Sequence, residues 1–160
     1  MKNIIGFILK PDAISKEVVN LFEKTIMEND YEIIGFKDKN LTAAEINELH
    51  CVLGAWKYGS EEYIKYMQSG MTKGYLVKHR CLFGNELYHY SKNIRGNARE
   101  AYNCNPDSIR GKIASILDNK IPYKNQVHVT DNEEELLSLP PQKVIITDPF
   151  QLNAECASWL

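Results

Sequence analysis

Apolar and polar positions follow two different spacings along the chain. Ile4 to Leu9 form an apolar run that ends at Lys10-Pro11-Asp12, which predicts a buried strand followed by a turn. Ser15 precedes apolar residues at helical spacing, and this segment closes at Asn29-Asp30, which predicts a capped helix. Similar patterns predict further strands at 31–36, 75–77, 126–130 and 143–147, and helices at 42–53, 61–68, 84–94, within 108–117 and at 133–139.

The order of these elements predicts one layered domain. Helices separate the strands, and the chain has 160 residues, a length typical of a single domain with its own hydrophobic core. We therefore expect one domain over residues 1–160, built as an α+β or α/β sandwich. The pattern leaves open which of the two it is.

Composition narrows the classes of function. The formal net charge is -2, which disfavours broad binding to nucleic acid or to an anionic membrane, because those partners select a basic surplus. The chain has neither an apolar run long enough to span a membrane nor the apolar core of a signal peptide at its N-terminus. None of the four cysteines forms a CxxC pair or a zinc-spaced cluster with histidine. We expect a cytoplasmic protein with free thiols, no membrane segment and no nucleic-acid partner.

Three separated segments carry side chains that suit a phosphate ligand. Lys10 follows the first predicted strand, and Arg110 stands beside Gly111, where backbone can approach a ligand closely. An arginine fork matches phosphate oxygens. His128 ends a short predicted strand just before a predicted helix N-terminus, which favours an anion. A histidine that faces a phosphate there can act as a nucleophile. Each feature alone is more typical of an ordinary packed or surface residue.

Taken together and in order, these segments resemble nucleoside diphosphate kinases. The motifs are Lys10-Pro11-Asp12-Ala13, then Lys65-Tyr66-Met67-Gln68-Ser69-Gly70, then Ile109-Arg110-Gly111, and finally Asn125-x-x-His128-x-Thr130-Asp131. The resemblance covers roughly residues 3–138. It implies a ferredoxin-like α/β (α+β) sandwich, in which helices cover an antiparallel sheet.

The resemblance also implies a phosphotransferase that works through a phosphohistidine. His128 would take the γ-phosphoryl group of a nucleoside triphosphate and pass it to a nucleoside diphosphate, with Mg²⁺ bound through the nucleotide phosphates and no protein metal ligands. A homo-oligomer is implied as well. The candidate site residues by position are Lys10, Lys92, Arg110 and Asn125 for the phosphates and sugar, Tyr58 for the base, and Thr130 and Asp131 in support of the histidine.

Several positions depart from the family's pattern. Lys92 stands near the family's second phosphate-binding arginine, and lysine lacks the bidentate fork. The base-stacking phenylalanine falls near Gly59, with Tyr58 and Tyr63 as candidate substitutes. The glutamate that orients the histidine falls at Leu139, and the tail diverges from about residue 140. Two alternatives therefore stay open: a variant enzyme of this fold that uses a nucleotide with a non-standard acceptor or hydrolyses it, and a non-catalytic nucleotide-binding module.

Overall fold

A computed structural model describes residues 3–51, 61–97, 105–117 and 126–130 and a strand at 143–144, with backbone alone at 48–51 and 143–144. A short 3-10 turn, Pro11–Ala13, follows the first strand. The strands and helices, in chain order, are β1 (Ile4–Leu9), α1 (Lys16–Glu28), β2 (Tyr31–Lys39), α2 (Ala43–Cys51), α3 (Glu61–Met67), β3 (Thr72–His79), α4 (Gly84–Arg95), α5 (Ile109–Leu117), β4 (Val127–Val129) and β5 (Lys143–Val144).

The strands form one antiparallel sheet. Their order is β4-β1-β3-β2, and the two-residue strand β5 extends the sheet beside β2. Each of the four pairings between neighbouring strands is antiparallel. The sequence pattern left open how the strands pair, and the structure shows that they are antiparallel. The predicted ferredoxin-like sandwich of an antiparallel sheet with helices is confirmed.

Successive side chains of β1 lie on opposite faces of the sheet, and each face has its own core cluster. Phe7 packs in the larger cluster with residues of α1, α4 and α5, whereas its neighbour Ile8 packs in the smaller cluster with residues of α2 and α3. Each buried large apolar side chain contributes about 1.5–3 kcal/mol. A slip of one residue would exchange the two sets of side chains between the faces, so burial on both sides fixes the strand register.

Two helix starts carry the caps that the sequence predicts. The Ser15 hydroxyl accepts a hydrogen bond from the Val18 backbone N–H at 3.3 Å, and α1 begins directly after it. Thr42 and Glu45 form a reciprocal capping box: the Thr42 N–H donates to the Glu45 carboxylate at 3.0 Å, and the Glu45 N–H donates to the Thr42 hydroxyl at 3.3 Å. Both capping predictions are confirmed.

The strands β2 and β3 extend further than the apolar pattern predicts. Beyond Phe36, β2 continues through charged residues that pair with the start of β3, where Asp38 lies opposite Lys73. The Lys73 ammonium donates to the Asp38 carboxylate at 2.9 Å. Pairing with β3 stabilises this charged end of β2. The sequence of one strand does not reveal which strand pairs with it. The helix predicted at 133–139 and most of the strand predicted at 143–147 lie outside the described residues.

Gly111 is required by a close approach of the chain to itself. A Cβ atom at this position would lie 2.2 Å from the Asn105 carbonyl oxygen. Ser108 holds the turn closed, since its hydroxyl donates to that oxygen at 2.6 Å and accepts from the Gly111 N–H at 3.1 Å. The sequence suggested that Gly111 makes room for a ligand, but the backbone that approaches it is the chain's own.

We predict that Gly111→Ala destabilises the protein by at least roughly 1–3 kcal/mol, because backbone must move to admit the new methyl group. Gly70→Ala is the matched control, since its Cβ would meet Pro11 at an ordinary 3.4 Å. Denaturant unfolding of both variants checks this. Equal free energies of unfolding for the two variants would contradict it.

His79 organises the turn after β3. Its Nδ1 atom accepts hydrogen bonds from the Cys81 and Leu82 backbone N–H groups at 3.0 and 2.9 Å. The ring is buried, with its centroid 4.7 Å from that of Tyr31 in an edge-on arrangement. Burial lowers the pKa of His79, and the nearby Asp30 carboxylate opposes the shift. The sequence assigned this histidine no role.

The lowered pKa of His79 gives a prediction about acid stability. The unfolded chain, in which histidine has a pKa of about 6.5, binds the proton more readily than the fold does. The stabilising contribution of His79 to the free energy of unfolding is therefore complete above about pH 6.5. It declines as the pH falls from there through the pKa of His79 in the folded protein. His79→Asn keeps a similarly placed acceptor and does not titrate. We expect the wild type to lose more unfolding free energy than this variant between about pH 7.5 and about pH 5; equal losses would contradict the assignment.

Candidate active site

The register between β1 and β4 brings Lys10 and His128 to one face of the sheet. Ile8 and His128 are direct partners across this antiparallel pair. The ladder continues past β1, where the Lys10 N–H donates to the Gln126 carbonyl at 2.8 Å. Residues directly opposite in such a ladder share a face, and Lys10 and His128 are diagonal neighbours. His128 is half-buried, on the side of the smaller core cluster to which Ile8 belongs.

The Lys10 side chain lies in an aromatic setting. Only 3% of the residue is exposed, and its Nζ lies 5.2 Å from the ring centroid of Tyr63 and 6.0 Å from that of Tyr66. The Tyr66 hydroxyl in turn donates a hydrogen bond to Asp12. Tyr63, a candidate for base stacking, is itself buried beside Lys10 in this structure.

Burial holds the pKa of the Lys10 ammonium well below its usual range, and the positive charge of Arg110 lowers it further. The charge of Arg95 acts in the same direction, whereas the carboxylate of Asp12 raises the pKa. A bound anion would favour the protonated lysine, because an opposite charge nearby stabilises the charged form. The site is therefore electrostatically suited to an anionic ligand.

Arg110 clamps the backbone beside His128. Its Nε and Nη2 atoms donate to the Val127 carbonyl at 3.1 and 2.6 Å, and Nη1 donates to the Gly96 carbonyl at 3.0 Å. The residue is 2% exposed. Guanidinium has five N–H donors, and this clamp uses three of them. Arg110 thus joins the residue before His128 to the end of α4, a structural contact that the sequence did not predict.

Thr130 extends the ladder past His128. Its N–H donates to the Gly6 carbonyl at 3.0 Å, and its hydroxyl accepts from the Gly6 N–H at 3.1 Å. Val129, which lies between His128 and Thr130 in the chain, packs in the larger core cluster on the opposite face of the sheet from His128. The β1–β4 ladder therefore continues on both sides of His128.

Of the remaining predicted site residues, the structure describes Lys92. Lys92 is half-buried on α4, and its carbonyl accepts the Gly96 N–H at 3.2 Å. Its predicted contact with phosphate stays a prediction. Tyr58, Asn125 and Asp131 lie outside the described residues.

Two residues near the site were missed by the sequence analysis. Arg95 ends α4, and its Nε donates to the Gly96 carbonyl at 3.2 Å. Gln126 is fully buried with a positive φ of 58°, and its side-chain amide has no hydrogen-bond partner in the described part of the chain. A basic residue directly before a glycine was the available signal for Arg95. We find no sequence signal for Gln126.

Within the described ranges, no group of three or more His, Cys, Asp or Glu side chains is arranged to hold a metal ion. The described helices include none that is both long and apolar enough to cross a membrane. The described side chains around Lys10 include two arginines, two tyrosine rings and the Asp12 carboxylate, groups that suit phosphate oxygens better than a bare divalent cation.

Comparison with known proteins agrees with this geometry. The family model for nucleoside diphosphate kinase matches residues 6–138. The structure resembles the apo nucleoside diphosphate kinase of Encephalitozoon cuniculi, with a TM-score of 0.68, 17% identity and coverage of 84% of each chain. It also resembles the nucleoside diphosphate kinase of Aquifex aeolicus, with a TM-score of 0.67, 21% identity and coverage of 86% of this chain and 91% of that one.

No curated protein matches the sequence. The two structural likenesses establish the fold, and their low identities mark this chain as divergent. The family model spans most of the sequence and supports a nucleotide phosphotransferase in general. The chain belongs to the nucleoside diphosphate kinase family.

Proposed function

We propose that this protein transfers the γ-phosphoryl group of a nucleoside triphosphate to a nucleoside diphosphate through a phosphohistidine at His128. The observation that carries the proposal is the strand register, which makes His128 a diagonal neighbour of the buried Lys10. Arg110 supports it by holding the carbonyl of the residue before the histidine. A nucleophile and cations that neutralise phosphate oxygens are the parts that this chemistry needs.

The reaction runs in two balanced steps. A ring nitrogen of neutral His128 attacks the γ-phosphorus, and the bond from phosphorus to the β,γ-bridging oxygen breaks as its electron pair leaves with the nucleoside diphosphate. A terminal phosphate oxygen of a second nucleoside diphosphate then attacks the phosphohistidine. The phosphorus–nitrogen bond breaks and its electron pair returns to the ring. One site therefore serves donor and acceptor in turn.

The cations position the phosphates and neutralise charge in the transition state. Phosphoryl transfer gains most of its acceleration from positioning and electrostatics. In the proposal Lys10, Arg110 and Lys92 contact phosphate oxygens, and Asn125 contacts the phosphates and sugar. Mg²⁺ arrives with the nucleotide as part of the substrate, bound by its phosphates.

The supporting residues and the assembly are proposed on the resemblance and the local geometry. Thr130 fixes the strand that carries His128 through its two hydrogen bonds with Gly6. Asp131 supports the histidine by its position in the motif, and Tyr58 contacts the base. A homo-oligomer in the cytoplasm, acting on nucleoside tri- and diphosphates, completes the proposal.

We predict that incubation with Mg-ATP forms an acid-labile phosphate on His128. His128→Ala should lower this labelling by roughly 10⁴-fold or more, the scale of losing a covalent nucleophile. His89→Ala is the matched control, because His89 is an exposed histidine on α4. Intact mass and peptide mapping locate the phosphate, and added nucleoside diphosphates test its discharge.

The outcomes separate the alternatives. Phosphate on His128 that discharges to nucleoside diphosphates supports the proposal. Phosphate that passes only to water indicates a hydrolase, and phosphate that stays on the protein indicates a different acceptor. Absence of phosphate with nucleotide binding intact overturns the phosphohistidine mechanism and leaves a binding module.

The lowered pKa of Lys10 predicts that affinity for ADP falls as the pH rises through that pKa, below the ordinary lysine range, by up to about tenfold per pH unit. The physical reason is that phosphate binds the protonated lysine, and burial together with neighbouring arginines makes that proton easier to lose. Lys10→Met should bind more weakly and lack this slope. Calorimetric titrations across the pH range test the difference. Parallel pH profiles for the two proteins would contradict the assignment.

A further inference from the structure

Gln126 carries a buried side-chain amide without a hydrogen-bond partner. The residue is 0% exposed, and neither its Nε2 nor its Oε1 atom meets a hydrogen-bond partner among the described residues. A buried amide in this condition costs free energy, because it gives up its hydrogen bonds to water and gains none in return. Unsatisfied polar groups are rare in protein interiors, and a role in a functional site is one reason for keeping them.

The backbone of Gln126 lies among the residues of the candidate site. Its carbonyl accepts the Lys10 N–H at 2.8 Å, which makes the two residues neighbours at the end of the β1–β4 ladder. Val127 follows, and the Nη2 of Arg110 donates to its carbonyl at 2.6 Å. His128 is the next residue along β4. The side chain of Gln126 therefore extends from backbone that Lys10 holds at one residue and Arg110 at the next.

No hydrogen bond to the described residues holds the amide in its resting position. Glutamine has three rotatable side-chain bonds, so the amide can turn toward a ligand beside Lys10 without breaking a hydrogen bond of its own. The backbone contacts with Lys10 and Arg110 stay in place during such a rotation, because they involve only main-chain atoms of this segment. A ligand that contacts Lys10 is therefore within the reach of Gln126.

The amide requires a ligand that both accepts and donates hydrogen bonds. Its Nε2 carries N–H donors and needs an acceptor, whereas its Oε1 needs a donor. Fully ionised phosphate offers acceptors alone. A nucleotide offers both kinds of group in one molecule, since its phosphate oxygens accept and its sugar hydroxyls donate. The chemistry of the unsatisfied amide therefore favours a phosphorylated ligand that also bears a hydroxyl group.

We propose that Gln126 is a ligand-binding residue whose Nε2 donates to a phosphate oxygen of a nucleotide and whose Oε1 accepts from a hydroxyl of the same ligand. This assignment rests on the proposed function for the identity of the ligand. The amide is unsatisfied before the ligand binds and satisfied afterwards, so Gln126 lowers the stability of the unliganded fold and raises the affinity of the site.

Gln126→Met tests both effects, because methionine is similarly long and flexible but has no group that must form a hydrogen bond. Both side chains are unbranched at Cβ, so the positive φ of 58° is equally uncommon with either. We expect the unliganded variant to melt about 2–4 °C above the wild type, the shift expected from removal of an unsatisfied buried amide. A lower melting temperature would contradict the assignment of an unsatisfied amide.

Calorimetry measures the affinities of the same proteins for ADP and for 2′,3′-dideoxy-ADP, which lacks the sugar hydroxyls. We expect Gln126→Met to bind ADP about 5- to 100-fold more weakly than the wild type, the scale of two hydrogen bonds. The loss for the dideoxy nucleotide should be smaller, about 2- to 10-fold, because only the phosphate contact is removed. Comparison of the two losses isolates the coupling between the amide and the hydroxyl.

An exposed glutamine provides the matched control. Gln68 directly follows α3, and Gln68→Met makes the same chemical change on the surface. This variant should melt and bind like the wild type. Gln126→Leu is a second apolar variant that decides the question if Gln126→Met does not fold.

The outcomes separate this inference from the proposed function. Equal affinity of the wild type and the folded Gln126 variants for ADP overturns the role of Gln126 and leaves the proposed function intact. Equal losses for the two nucleotides overturn the hydroxyl contact. Weaker ADP binding by Gln126→Met, in a protein whose wild type forms no phosphohistidine, supports the role of Gln126 and overturns the transfer mechanism. No binding of ADP by the wild type overturns both.

Discussion

The buried guanidinium of Arg110 is the contact on which the site depends. It ties the Val127 carbonyl to the Gly96 carbonyl, and so joins β4, the end of α4 and the start of α5. The buried Val127 carbonyl would cost about 1–3 kcal/mol if left without a donor, whereas the Gly96 carbonyl also accepts from Arg95. Removal of Arg110 would therefore loosen the strand that carries His128 as well as remove a charge. In the proposed function, the same side chain combines a structural and a phosphate-binding role.

Burial shapes the charge state of Lys10. Its ammonium lies beside the rings of Tyr63 and Tyr66, and burial, with the charges of Arg110 and Arg95, lowers its pKa. In the proposed function a phosphate anion beside Lys10 favours the protonated form, so that ligand should stabilise the fold by mass action.

The departures from the family pattern fall into two kinds. One lies among the described residues: Lys92 is half-buried on α4, and lysine can act on phosphate as a point charge although it lacks the bidentate fork. Others, such as Leu139 at the position of the orienting glutamate and Tyr58 near the base-stacking position, fall outside the described residues. The first kind leaves phosphate binding chemically reasonable. The second concerns orientation of the histidine and choice of base, which is where divergent specificity would arise.

The sequence by itself determined the elements with strong local signals. The apolar run of β1, the Ser15 cap and the Thr42 capping box act within a few residues, so pattern alone was sufficient for them. The ordered motifs also predicted the family and its antiparallel sheet. Tertiary structure alone decided the register between the strands, the clamp made by Arg110 and the position of Arg95 beside it. These depend on contacts between segments far apart in the chain, and hydrogen bonds to backbone carbonyls leave no trace in the identity of the residues that accept them.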